Sequence, residues 1–200
     1  MKSINIYINE ALKLGKSRYK YRPKTKKELQ ELLRQLIEER GNDGDFNDID
    51  TSEITDMSSL FSYNQKFNGD ISKWDVSNVT NFHGIFFNCD IFNKDISAWD
   101  VSKVTNMSYM FYWCTNFNQD ISNWNVSNVI NMGSMFFKCI IFNKDISKWD
   151  VSSVKNMERM FYGCKSFNQN LSDWDVSSVK HIDNMFSFCK IEEKYKPIFI

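Results

Sequence analysis

A tryptophan returns every 25 residues through most of this chain, as Trp74, Trp99, Trp124, Trp149 and Trp174. A cysteine keeps the same step at Cys89, Cys114, Cys139, Cys164 and Cys189, and a Phe-Asn pair keeps it from Phe67–Asn68 to Phe167–Asn168. Six phenylalanines, from Phe61 to Phe186, follow the same interval. A strict period of this length is the signature of a repeat architecture in which each unit stacks on its neighbours. One unit alone has too little apolar surface to close a core, so its repetition restricts the fold more than any local propensity does. A weaker 50-residue period, in which 86–97 resembles 136–147 and 110–122 resembles 160–172, points to duplication of a two-repeat unit.

Each repeat carries two hydrophobic periods. Val104, Met107, Met110, Phe111, Cys114 and Phe117 fall three or four apart, which predicts a helical or 3₁₀ segment. Ile121, Trp124 and Val126 form an LxxLxL pattern whose end alternates, which predicts a short strand. A strand and a helical segment within roughly 20–29 residues is the leucine-rich-repeat plan. The expected fold class is therefore an α/β repeat solenoid, a right-handed coil of short parallel strands and short helical segments. Six coils are expected over 46–190, the first being degenerate, with Ile49 at the Trp position and Thr51 at the Val position.

The flanks read as caps. Thr25 and Glu28 have capping-box spacing behind Pro23, Leu29, Leu32, Leu33, Leu36 and Ile37 make one apolar stripe, and Gly41 can end the element. An amphipathic capping helix and its linker are expected over 24–45. Residues 191–200 are expected to cap the other end, with Glu192 in place of Phe and Phe199 back on the Trp frame as part of an edge strand. Residues 1–23 fit no repeat and are expected to form an arm, with a short helix over 4–15.

Charge is zero overall but unevenly spread. Residues 1–40 hold eleven Lys/Arg against five Glu, leaving fourteen against twenty Asp/Glu in the rest. A basic arm suits tethering through residues 1–40 to an acidic partner or a larger assembly, though a solvated terminal segment explains it as well. Nucleic acid is not the expected partner. No apolar run approaches the roughly 18 residues of a membrane-spanning helix, and no signal-peptide pattern opens the chain.

The repeated columns are the candidate sites. The five tryptophans suit either a stacking platform for sugars or bases, or a repeated core position. Replacement by Ile49 and Phe199 at the ends favours core. The five cysteines form a line rather than a convergent tetrahedral set, with no CxxC pair. They are expected to be buried thiols, with neither metal nor cofactor. The two asparagine columns (68 to 168, and 81 to 156) are expected to satisfy turn backbone. Asp75, Asp100, Asn125, Asp150 and Asp175 lie between the inward Trp and Val and so are expected to point outward. Stacked like charges cost energy unless compensated, which makes this acidic stripe the candidate surface for a basic partner. Lysines such as Lys73 and Lys148 offer an alternative role as its compensation. The two histidines, His83 and His181, stand far apart, and no catalytic or phosphate-binding motif accompanies them. No enzyme activity is expected.

The frame "FNQDISNWNVSNVINMGSMFFKC" resembles the BspA-like leucine-rich repeat proteins, in the subgroup with WDVSxVxxMxxMFxxCxxFNxDIS repeats, over about 46–190. The resemblance implies a non-enzymatic protein-binding or adhesion module and no catalytic residues. Members resemble one another as bacterial surface or lipid-anchored proteins, and similar repeats occur in proteins of bacterial viruses. A decoration component of a virion or other large assembly, and a carbohydrate-binding module, are the alternatives. Without a signal peptide, lipobox cysteine or anchor, a cytoplasmic or virion-associated location is expected over classical secretion.

Overall fold

The computed structural model describes residues 19–199. The short helix expected over 4–15 lies outside them. One α-helix is present among the described residues, α1, Lys26–Arg40. Thr25 caps it, its Oγ1 accepting the Glu28 amide at 3.2 Å. The Glu28 carboxylate reaches back to the Lys24 amide at 2.8 Å, one residue earlier than a regular capping box would place it. Gly41 ends the helix at φ 79, a left-handed conformation that glycine adopts without steric cost, and its amide bonds the Ile37 carbonyl. Leu29, Leu32, Leu33 and Leu36 are fully buried, so the stripe read from the sequence is the packed face.

Tyr21, in the segment read as the arm, belongs to the packed body. It is 1% exposed, bridges Ile49 in parallel, and takes the Asp50 amide on its carbonyl at 2.9 Å. The Arg40 guanidinium lies 5.6 Å from its ring centroid and forms a two-pronged pair with Asp48 at 2.8 and 2.9 Å. That link ties the end of α1 to the first repeat.

Successive repeats join in fixed register. The amides of Met57, Ser59, Phe61 and Tyr63 donate to the carbonyls of Asn81, His83, Ile85 and Phe87 at 2.7–3.0 Å. The same four bonds recur 25 residues on at each later junction, ending with Met157, Arg159, Phe161 and Gly163 on His181, Asp183, Met185 and Ser187. Parallel bridges run through the second asparagine column, Asp56–Asn81–Asn106–Asn131–Asn156–His181. The amides of Ile182, Asn184, Phe186 and Phe188 meet no acceptor among the described residues.

Two local expectations differ from this. No extended strand forms at Ile121–Val126: the Trp124 amide bonds Ile121 at 3.2 Å and the Val129 amide bonds Val126 at 2.9 Å, so these amides are consumed in turns. The 104–117 segment is not a continuous helix either. It runs as linked turns, with left-handed residues at Tyr109 (φ 58) and Trp113 (φ 58). A left-handed residue breaks the run of helical dihedrals, and alternate amides then turn sideways to the next repeat instead of back along their own segment. The edge strand expected at the C-terminus is absent over 196–199, while a 3₁₀ turn, Glu193–Tyr195, precedes it.

Side-chain carbonyls and carboxylates make the corners. Asp70, Asp95, Asp120, Asp145 and Asn170 each accept the amide two residues on, from Ser72 to Ser172. Asp56, Asn81, Asn106, Asn131 and Asn156 do the same. The Asp75 column makes a third corner. Such Asx turns hold the backbone in a bend that neither helix nor strand provides. The other asparagine column is a ladder between repeats: Asn68 Oδ1 accepts the Asn93 amide, and the pattern continues through Asn143 to Asn168.

The core between these corners is aromatic. Phe61, Phe86, Phe111, Phe136, Phe161 and Phe186 stack at 5.6–5.7 Å between centroids and 3–13° between planes. Phe67, Phe92, Phe117, Phe142 and Phe167 form a second column at 5.8–6.2 Å. Ring centroids of the two columns approach to 3.8–4.3 Å within a repeat. Offset stacking of this kind adds about 0.5–1.5 kcal/mol per pair to the burial of the rings.

Candidate binding surfaces

The tryptophan column is interior. Trp74, Trp99, Trp124, Trp149 and Trp174 are 3–5% exposed. Each indole N–H donates to a carbonyl 28 residues earlier: Phe46, Ile71, Ile96, Ile121 and Ile146, at 3.0–3.2 Å. Trp covers the neighbouring repeat and adds a second hydrogen bond to a carbonyl that already accepts the amide three residues on. The cysteine column is its counterpart. The thiols of Cys89, Cys114, Cys139 and Cys164 donate to the carbonyls of Phe61, Phe86, Phe111 and Phe136 at 2.9–3.1 Å. Burial pushes the Cys89 thiol up to about 12 and those of Cys114, Cys139 and Cys164 well above the ordinary value. Cys189 is half-buried in the last repeat.

Asp100, Asn125, Asp150 and Asp175 are exposed and Asp75 is half-buried. Each takes the amide of Ser77, Ser102, Ser127, Ser152 or Ser177 on its side-chain oxygen at 3.0–3.2 Å. Hydrogen bonds from the serine hydroxyl and amide hold the carboxyls of Asp100, Asp150 and Asp175 below the usual carboxylate range. The shared requirement is an acceptor oxygen, which Asn125 supplies without charge. The corner thus accounts for the residue type in this column without invoking a partner. A neighbouring groove of about 330 Å³ lies along the Asp120–Asp145 corner, flanked by Lys144 and Lys148.

A surface that no column of identical residues marks lies on the linked turns. Both left-handed positions of each repeat are occupied by dissimilar residues: Ser59, Gly84, Tyr109, Ser134, Arg159 and Asn184 in one column, Tyr63, Asn88, Trp113, Lys138, Gly163 and Phe188 in the other. Glycine or asparagine is the inexpensive choice there, since a left-handed residue with a bulky side chain costs roughly 1–2 kcal/mol. Yet four are large aromatics, and all four are exposed: Tyr63 71%, Tyr109 38%, Trp113 39% and Phe188 75%. Trp113 is the sixth tryptophan, outside the buried column, and Lys138 Nζ lies 4.1 Å from its ring centroid.

Beside them runs a half-buried ladder of rings. Phe87, Tyr112, Phe137 and Tyr162 stack at 4.5, 4.5 and 4.7 Å with planes within 4–11°. Their faces cover one another, and all four residues are half-buried. Tyr109, Tyr112, Phe137, Tyr162 and Phe188 line a shallow groove of about 410 Å³ together with Ser134, Arg159 and Asn184. Arg159 Nε sits 3.6 Å from Glu158 Oε1, both on the surface. The signal in the sequence was the variation between repeats at fixed positions, not the recurrence.

No helix among the described residues is long and apolar enough to cross a membrane. Nor does any group of three or more His, Cys, Asp or Glu among them converge as metal ligands would. A family model described as "Mycoplasma protein of unknown function, DUF285" matches the chain twice, over residues 28–132 and 97–196. No curated protein and no solved structure matches it.

Proposed function

Because this chain belongs to the DUF285 family of Mycoplasma proteins of unknown function, we propose that it is a non-enzymatic protein-binding module. In this reading the repeats form a right-handed, leucine-rich-repeat-like solenoid, closed by α1 at one end, that displays a recognition face. The observation that carries it is the placing of Tyr109, Trp113 and Phe188 at left-handed positions where the same columns also hold Gly84 and Gly163. A fold that tolerates glycine at these sites has no packing need for an exposed aromatic ring. Backbone strain retained under an exposed aromatic is the mark of a site kept for binding. Aromatics are also the residues that dominate protein recognition.

The test is affinity capture from protein extracts with the full chain and two variants. A Tyr109→Ser/Phe188→Ser protein loses its captured partner, while an Asp100→Asn/Asp150→Asn protein keeps it. Retention by the first variant overturns the assignment of the face. Loss in the second alone moves recognition to the acidic stripe.

A further inference from the structure

The groove beside the ring ladder has a period of its own. Phe and Tyr alternate along the ladder, so like edges recur every second repeat, and within the groove the recurring pair is Tyr112 and Tyr162 with Phe137 between them. With neighbouring rings 4.5–4.7 Å apart, that interval is about 9 Å. A polyproline II helix advances ~3.1 Å per residue and turns once in three, so it repeats every ~9.3 Å. An extended β-strand, whose same-face side chains recur every ~6.6–6.8 Å, drifts out of step with the same rings.

We propose that the groove binds a proline-rich segment of a protein partner in the polyproline II form, carrying acidic residues along one edge. This rests on the binding-module reading and specifies its partner class. The apolar edge of Phe137 meets a pyrrolidine ring between the two tyrosines, which stand one turn apart. The hydroxyls of Tyr112 and Tyr162 donate to peptide carbonyls, which the polyproline II form leaves free of internal hydrogen bonds. Because the ladder rings already cover one another's faces, a flat ligand finds little to stack on, whereas a ridged peptide needs only edges. Charge sets the acidic edge: Arg159, which also faces Glu158 at 3.6 Å, lines the groove and Lys138 stands over Trp113 beside it, so an acidic residue of the peptide competes with Glu158 for the guanidinium. Aromatic-lined grooves accept such peptides at low entropic cost, because their conformation is already formed.

Titration calorimetry with synthetic peptides tests this on the full chain. The probe is a peptide of repeated Pro-Pro-Glu, and the control is repeated Gly-Ser-Glu of equal length and charge. The proline peptide binds at least tenfold more tightly. Tyr162→Phe, a residue type already present in this column at Phe87 and Phe137, weakens binding severalfold while leaving the melting temperature in place. Arg159→Gln weakens binding and flattens its salt dependence. Equal affinity for the two peptides overturns the proposal, and so does absence of binding by both. Binding of polygalacturonate in their place makes the groove an anionic-glycan site and likewise overturns it. Where neither peptide binds but the Tyr109→Ser/Phe188→Ser protein still loses its captured partner, the binding-module reading stands and only the peptide class falls.

Discussion

The indole nitrogen of Trp124 donates to the carbonyl of Ile96, 28 residues earlier, at 3.2 Å. The contact spans a repeat junction, and four other tryptophans reproduce it. It separates two contributions that recurrence alone leaves fused, the burial of a large ring and a second hydrogen bond to a carbonyl.

Those contributions separate by mutation. Trp124→Ala loses both and is expected to destabilise by about 3–5 kcal/mol. Trp124→Phe keeps most of the burial and removes one of the two hydrogen bonds to the Ile96 carbonyl, which still accepts the Trp99 amide at 3.1 Å, for about 0.5–1.5 kcal/mol. Urea denaturation of the two variants reads the difference. Unchanged stability in Trp124→Ala, with loss of a ligand, would return the column to a binding role.

The corner carboxylates give the body an acid limb. Hydrogen bonds from Ser102, Ser122, Ser147 and Ser152 hold Asp100, Asp120, Asp145 and Asp150 below the usual range. A carboxyl whose folded value lies below its unfolded one stabilises the fold above the unfolded value. That value is about 3.9 for Asp, and the contribution fades as pH falls through the folded value. Replacing the four with Asn keeps the acceptor oxygen and removes the titration. The variant is expected to be somewhat less stable than wild type near neutral pH, where it lacks the charge-assisted bonds, and to lose less stability between about pH 5 and 2, as seen in melting temperature against pH. An Asp150→Ala protein, which has no acceptor, is weaker at all pH values.

Phe188 is expected to be a binding residue held at a cost to stability. Phe188→Gly relieves a left-handed conformation and gives up little packing from a ring that is 75% exposed. Its stability stays level or rises by up to about 1 kcal/mol, while partner capture falls. A stability loss of several kcal/mol would instead make the ring a structural cap.

Thiol reactivity should follow burial. Under native conditions a maleimide or disulfide reagent reaches Cys189 first, and Cys114, Cys139 and Cys164 only on unfolding. Their thiols are buried and disfavoured as thiolates. Mass spectrometry of partly labelled protein gives the order, and early labelling of Cys139 would contradict the packing described above.

Tyr21 belongs to the packed body. With its ring buried and its backbone paired to Asp48 and Asp50, Tyr21→Ala is expected to cost about 3 kcal/mol, in the range of other buried aromatics. Thermal melts of the full chain decide this, and an unchanged melting point would put the residue back with the arm.

Much of this was readable in the residues. Thr25, the leucine stripe and Gly41 announce α1 to within two residues, because capping and 3.6-residue periodicity are local signals. The inward set was legible too, since a position that repeats as Trp, Cys or Phe is one that must pack. What misled was the local form. Ile121–Trp124–Val126 alternates as a strand does, yet the Trp124 amide bonds Ile121, three residues back, and the Val126 carbonyl takes the Val129 amide. The carboxylate or amide at every corner position stabilises the bend. The proposed recognition face escaped for a different reason. Trp113, Tyr109 and Phe188 are each unlike their counterparts in other repeats, and a search for recurrence passes over them. The cost of a left-handed backbone under a bulky side chain shows only once the dihedral angles are known.

Among the described residues the amides of Ile182, Asn184, Phe186 and Phe188 complete no further junction, whereas the four repeats over 82–163 are bonded on both sides. In an array where every unit is held only by its neighbours, unfolding follows a zipper. The sixth repeat is the first to open, and hydrogen exchange slows progressively toward the repeats nearest α1. Phe188 and Asn184 therefore sit on the fraying end, and a ligand clamped across Tyr162 and Phe188 would act as the missing clasp, raising the protection of amides well beyond its own footprint.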